Sequence, residues 1–218
     1  FYCAFCIIPF ARGPARSREF NNVLDDAKAL IQLGVKELVL TGINLGTYEC
    51  KNETFYSLLR TLLELSPNTR IRISSIEPTT IGQELINIWH EYPNLCRYLH
   101  LPIQSATNTV LKTMRRKYTL EAYNEYLQQV VDAVPNMCVG TDVIVGFPGE
   151  TDTLFNQTVD YLTHAPIHYF HVFSYSERTM AHSRKFDDKV SAPTIKERSA
   201  TLRALSKDKW HAYREHYK

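Results

Sequence analysis

The sequence lacks most of the features that announce a function directly. No apolar run approaches the length of a membrane span, and no signal peptide is visible. There is no G-x-G-x-x-G and no P-loop, which argues against a nucleotide-binding doubly wound sheet. Net charge is only +2, so charge alone does not point to a nucleic-acid partner. Cysteines number five, an odd count, and Cys50, Cys96 and Cys138 are scattered. That usage fits a reducing cytoplasm better than a disulfide framework and reads as small buried or semi-exposed thiols. No fixed-length repeat and no low-complexity segment is present.

What remains is an ordinary globular composition, 44% hydrophobic and 22% charged over 218 residues, ample for a substantial core. Apolar residues at helical spacing predict helices over 22–33, 54–65, 82–90, 107–114, 120–134 and 152–164, with a last charged helix from about Thr194. Strands are predicted over 35–40, 70–74, 98–101, 138–145 and 169–175. A polar stretch, 176–191, precedes the last helix. Strand, loop and helix alternate, which implies parallel strands joined by right-handed crossovers. The charges of the last helix, Arg198 and Arg203 among them, read as an ordinary solvated face.

The most informative stretch is the first thirteen residues, Phe1-Tyr2-Cys3-Ala4-Phe5-Cys6-Ile7-Ile8-Pro9-Phe10-Ala11-Arg12-Gly13. Cys3 and Cys6 form a C-x-x-C, a spacing that turns two thiolates toward one metal. Zinc ribbons, redox dithiols and iron–sulfur clusters all use it. A redox dithiol should open a helix, and Pro9 argues against one there. A zinc site needs two further Cys or His ligands, and none follows nearby.

Polar clusters fall at the ends of the predicted strands, where parallel α/β proteins collect function. They are Thr41-Gly42-Ile43-Asn44, Ser74-Ser75-Ile76-Glu77-Pro78, His100-Leu101-Pro102-Ile103-Gln104-Ser105, and Asp142 ahead of Gly146-Phe147-Pro148-Gly149-Glu150. Turn chemistry or helix capping explains each one singly. Their recurrence after successive strands is harder to explain that way.

The opening resembles the radical S-adenosylmethionine signature C-x-x-x-C-x-aromatic-C, and its Pro-x-x-Arg-Gly continuation resembles the methylthiotransferase branch. The four clusters above, with Met114-Arg115-Arg116-Lys117-Tyr118-Thr119, resemble that branch's motifs in order along essentially the whole chain. Leu45-Gly46-Thr47-Tyr48 and Ser74-Ser75-Ile76-Glu77-Pro78 are most similar to the MtaB-type enzymes, which act on N6-threonylcarbamoyladenosine in tRNA. One stretch departs: the family typically shows Pro-Gly-Thr where this chain has Thr179-Met180-Ala181.

The resemblance implies a partial six-unit (β/α) barrel of the radical-SAM type, whose first strand and first cluster cysteine precede Phe1, the cysteine by two residues. It implies a core domain over 1–192 and a helix over 193–218 leading toward an RNA-binding TRAM domain. Cys3 and Cys6 become two of three ligands of a 4Fe-4S cluster whose open iron is chelated by S-adenosylmethionine, reduced to give a 5′-deoxyadenosyl radical. Phe5 is then expected near the adenine, Gly42 and Asn44 near the methionine end, and Ser75, Gln104 and Asp142 on polar groups of the cofactor. Arg116 is expected on its carboxylate, a role its fork suits. Arg12, Arg16 and Tyr175 are expected to meet substrate, the anticodon stem-loop of tRNA, though the arginines read equally as a solvated basic loop. A second 4Fe-4S cluster in a preceding domain, an electron donor, a cytoplasmic location and no membrane association complete the expectation. Two alternatives keep the cofactor and change the substrate, to isopentenyladenosine in tRNA or a ribosomal protein. A third, from another class, is a zinc-stabilised RNA-binding module.

Overall fold

Helices form where the apolar period meets a cap, and strands where β-branched runs end in polar turns. The computed structural model describes residues 3–216. In chain order the elements are α1 (Ile8–Arg12), α2 (Phe20–Gln32), β1 (Glu37–Leu40), β2 (Glu49–Cys50), β3 (Glu53–Thr54), α3 (Phe55–Leu65), β4 (Arg70–Ile73), α4 (Gln83–Glu91) and β5 (Tyr98–His100). There follow α5 (Asn108–Thr113), α6 (Leu120–Ala133), β6 (Cys138–Val145), α7 (Asp152–His164), β7 (Tyr169–Ser174) and α8 (Ala192–His216). The chain divides into two compact units. One holds Arg16–Leu101 and Tyr126–Cys138, the other the segment up to Ala15, Pro102–Glu125 and the segment from Val139.

In the first unit β1 pairs in parallel with β4, setting Leu38 opposite Ile71 and Leu40 opposite Ile73. The chain at Asn94–Cys96 runs along the other side of β4, through Ile71 N–H to Asn94 O and Cys96 N–H to Ile71 O at 2.9 and 2.8 Å. Thr54 and Ser57 cap the start of α3 reciprocally, and the helix then buries Leu58, Leu59, Leu62 and Leu63. Each such leucine contributes about 2 kcal/mol of apolar burial. The hairpin of β2 and β3 was not expected; its two residues per strand are too few to leave a periodic signal.

In the second unit β6 pairs in parallel with β7, from Gly140 opposite Tyr169 to Val145 opposite Ser174. Helix α8 packs along β7. There the Ser206 hydroxyl donates to Phe170 O and accepts from Phe170 N–H, both at 2.8 Å, and Leu202 is fully buried. Gly146, just past β6, has φ +77°, and a Cβ there would collide with the Ile195 side chain of α8. Only glycine fits both the turn and the approach.

The fold is α/β with parallel strands, as expected, and among the described residues the strand pairings do not close into a ring. Two readings need correction. Pro9 does not prevent a helix after the cysteines: it sits in the first turn of α1, where its missing N–H is no loss. Nor is α8 merely a charged solvated face. Arg198 is buried and bonded to Glu150 and Asp152, and Lys209 donates from Nζ to Thr163 O and Ala165 O. The strand and cysteine expected ahead of Phe1 lie outside the described residues.

Candidate functional site

Cys3 and Cys6 share one tight turn, with Cys6 N–H donating to Cys3 O at 3.1 Å. Both thiols are half-buried and line a cavity of about 430 Å³, with Phe10, Arg115, Met180 and His182 on its walls. Ala4 anchors the turn. Its N–H donates to Met114 O and its carbonyl accepts from Ser183 N–H, both at 2.9 Å, while its methyl enters a buried cluster with Val110, Met114 and Phe147. Phe5 and Tyr175 both meet the Phe147 ring edge-on, at centroid distances of 6.4 and 5.4 Å. Tyr175 also donates its hydroxyl to Ser183 Oγ at 3.0 Å.

The end of α5 brings two guanidinium groups to the same place. The helix closes with Arg115 N–H bonded to Lys112 O and Arg116 N–H bonded to Leu111 O, at 3.0 and 2.9 Å. This pair of bonds defines a Schellman turn, whose left-handed residue is usually glycine. Here that residue is Arg115, at φ +60°. The turn sends Arg115 toward His182, with Nη2 to Nε2 2.7 Å apart, and Arg116 toward Cys3, with Nη1 donating to Sγ at 3.1 Å. Arg116 Nε donates to Tyr118 Oη, which itself donates to Pro102 O or Ile103 O, and the guanidinium lies 4.9 Å from the Tyr118 ring centroid. Gln104 is likewise left-handed, at φ +66°, and bridges β6: its N–H donates to Asp142 O and its carbonyl accepts from Ile144 N–H. The Asp142 carboxylate lies 3.2 Å from His171 Nδ1.

Of the residues singled out from the sequence, Cys3, Phe5, Cys6, Arg12, Gln104, Arg116, Asp142 and Tyr175 therefore belong to one unit. Cys3, Phe5, Cys6, Arg116 and Tyr175 are gathered around the Ala4 turn, Gln104 and Asp142 meet through their backbones, and Arg12 is exposed at the end of α1. Gly42, Asn44, Ser75 and Arg16 belong to the other unit. In it Asn44 Oδ1 accepts from Thr80 Oγ1 at 3.1 Å, and Ser75 Oγ lies 3.3 Å from Nδ1 of the buried His100. A Cβ on Gly42 would press on Leu45 Cδ2 at 2.9 Å, and Arg16 is exposed. Sequence reasoning passed over Arg115 and His182. The available signals were an arginine where a helix end ordinarily takes glycine, and the unusual 179–181 stretch.

Among the described residues, no third His, Cys, Asp or Glu stands within ligand-cluster distance of Cys3 and Cys6, so the four-ligand zinc centre is not formed there. The chain is 42% identical over 219 residues to the threonylcarbamoyladenosine tRNA methylthiotransferase MtaB of Bacillus subtilis (strain 168), covering 99% of this chain and 49% of that protein. It is 36% identical over 215 residues to MtaB of Aquifex aeolicus (strain VF5), covering 98% and 52%. The chain thus spans about half the length of the relatives it matches. Among solved structures, coproporphyrinogen III oxidase HemN of Escherichia coli, described as a radical SAM enzyme, superposes with a TM-score of 0.69. That match has 17% identity over 96% of this chain and 50% of HemN, a likeness of fold alone. The sequence model described as the Radical SAM superfamily matches residues 1–162, and by that match the chain belongs to the radical SAM superfamily.

Proposed function

We propose that the chain is the radical-SAM core of a tRNA-modifying enzyme that adds a methylthio group to C2 of N6-threonylcarbamoyladenosine next to the anticodon. The observation that carries this reading is the Cys3–Cys6 turn, opening on a cavity beside Arg116 in a chain 42% identical to an enzyme named for that reaction.

The donor set suits an iron–sulfur cluster. Two soft sulfurs leave one turn, and a third thiolate is expected just upstream of Phe1. When bound, a reduced 4Fe-4S cluster supplies the electron that cleaves S-adenosylmethionine to a carbon radical. The chain's own residues hold and orient. Arg116 donates to the Cys3 sulfur and presents a fork suited to the cofactor's carboxylate, and its bonds to Tyr118 fix it before any ligand arrives. Phe5, pinned on Phe147, offers an apolar edge for the adenine. Ser75, Gln104 and Asp142 are assigned to other polar groups of the cofactor, and Gly42 and Asn44 to its methionine end. Arg12, Arg16 and Tyr175 are assigned to the anticodon stem-loop of tRNA. An electron donor and a second 4Fe-4S cluster, held outside this chain, complete the reaction in a cytoplasmic setting. No helix among the described residues is long and apolar enough to cross a membrane.

Anaerobic reconstitution of the intact protein with iron and sulfide tests the reading. We expect a brown protein whose site-differentiated iron loses its signal in C3A and C6A. In a deletion strain, tRNA should lose 2-methylthio-N6-threonylcarbamoyladenosine and keep its other methylthiolated nucleosides. A colourless, zinc-loaded protein would sink the cofactor assignment. Loss of methylthio-isopentenyladenosine instead would transfer the reading to that substrate.

A further inference from the structure

Arg115 occupies a costly position. An L-residue in the left-handed region costs roughly 1–2 kcal/mol relative to the right-handed one, and glycine would avoid that at a helix end. The surrounding structure nevertheless fixes an arginine there and aims it at the cysteine cavity. Its contact with His182 uses one of five N–H donors, with the imidazole nitrogen as acceptor. The His182 ring is itself packed against Phe186 at 5.4 Å.

The charge around the cavity is unbalanced. Arg184 and Lys185 line it together with Arg115. Arg184 is offset by Glu177 at 3.4 Å, a carboxylate shared with Lys189 at 2.6 Å. Among the described residues, no carboxylate lies in salt-bridge reach of Arg115 or Lys185. Two large apolar side chains stand in the open on the same walls, Phe10 at 57% and Met180 at 59% exposure. Cations interleaved with an exposed aromatic ring are the combination that grips unpaired nucleic acid, the cations tracking phosphates and the ring stacking a base.

We propose that Arg115, Arg184 and Lys185 form a phosphodiester-binding rim on the cysteine cavity, with Phe10 as a stacking platform, and that this rim holds the RNA substrate beside the reacting base. The proposal rests on the tRNA reading above. It gives the 179–185 stretch, which opens with the Thr179-Met180-Ala181 departure, the job of closing one wall of an RNA cradle.

The test uses the intact protein and a fluorescent tRNA anticodon stem-loop, titrated by anisotropy between low and moderate salt. R115Q/K185Q should weaken binding about tenfold at low salt and shallow the log–log salt slope by about 2, roughly one for each cation removed. F10A should weaken binding about tenfold with the slope unchanged, as loss of one stacked base does. R115K/K185R keeps the charges and should keep the slope. K185Q alone, which leaves the α5 turn untouched, should shift the slope by about 1 if the double variant fails to fold. Unchanged affinity and slope in R115Q/K185Q would overturn the proposal. So would a loss of S-adenosylmethionine binding with RNA binding intact, which would hand the rim to the cofactor. Iron content and S-adenosylmethionine affinity, measured on the same samples, separate the two levels. A wild-type protein that takes up both and binds no RNA defeats the tRNA reading itself, whereas equal binding by wild type and variant defeats only the rim.

Discussion

Each unit carries an arginine–carboxylate knot, and the two are built the opposite way round. In the first, one carboxylate, Glu37, takes two guanidiniums, Arg70 at 2.8 Å and Arg72 at 2.7 Å. In the second, one guanidinium, Arg198, takes two carboxylates, Glu150 at 2.7 Å and Asp152 at 2.6 Å. Their surroundings differ more than their chemistry. The Arg70 side chain is 66% exposed, whereas those of Arg198 and Glu150 are 6% and 3% exposed. Burial pushes both glutamates toward higher pKa. At Glu37 the bonds and charges of Arg70 and Arg72 outweigh it, and the carboxyl ends below its ordinary value. At Glu150 burial prevails over the Gly146 N–H and Arg198, and the carboxyl ends above it. A paired carboxylate moves down or up according to whether its partners' bonds and charges outweigh its dehydration.

The largest break of this symmetry should come from Arg198→Ala. It strands a buried carboxylate and should destabilise the protein by about 3–5 kcal/mol in urea melts. R198M/E150L, which removes the two buried charges and leaves only the exposed Asp152, should recover much of that loss; no recovery would mean that the guanidinium acts through its packing on Phe155 instead. Glu37→Gln, in the wetter knot, should cost only about 1 kcal/mol. The smallest and sharpest contrast lies in pH dependence. Stability from Glu37, whose folded pKa is depressed, is present above its unfolded value of 4.5 and fades as pH falls. Glu150 has a raised folded pKa, so its contribution is full below 4.5 and fades as pH rises. Melts at pH 4 and pH 7 should therefore show E37Q costing more at pH 7, and E150Q costing relatively more at pH 4. Parallel profiles would erase the distinction.

The long periodic elements were legible because each carries its signal within a dozen residues. β6 and α7 fall where they were expected, at Cys138–Val145 and Asp152–His164. The Cys3–Cys6 turn and the strand-end clusters were legible as motifs. What escaped depends on partners far along the chain. Arg198 has the look of a surface residue on a charged helix until its partners, some 46 and 48 positions earlier, are known to face it. Arg115 is ordinary by type and unusual only in φ, which no local pattern reveals. Pro9 misled because the rule against proline applies to helix interiors, and it stands in a first turn.

The glycine contact at the end of β6 has a mechanical consequence. With Gly146 pressed against Ile195 and Glu150 bound to both Gly146 N–H and Arg198, the loop carrying Phe147 is clamped to α8 at two points. Phe147 is the ring on which Phe5 and Tyr175 lean. A tilt of that helix would travel through the clamp as a lever stroke, and its far end is the turn bearing the two sulfurs.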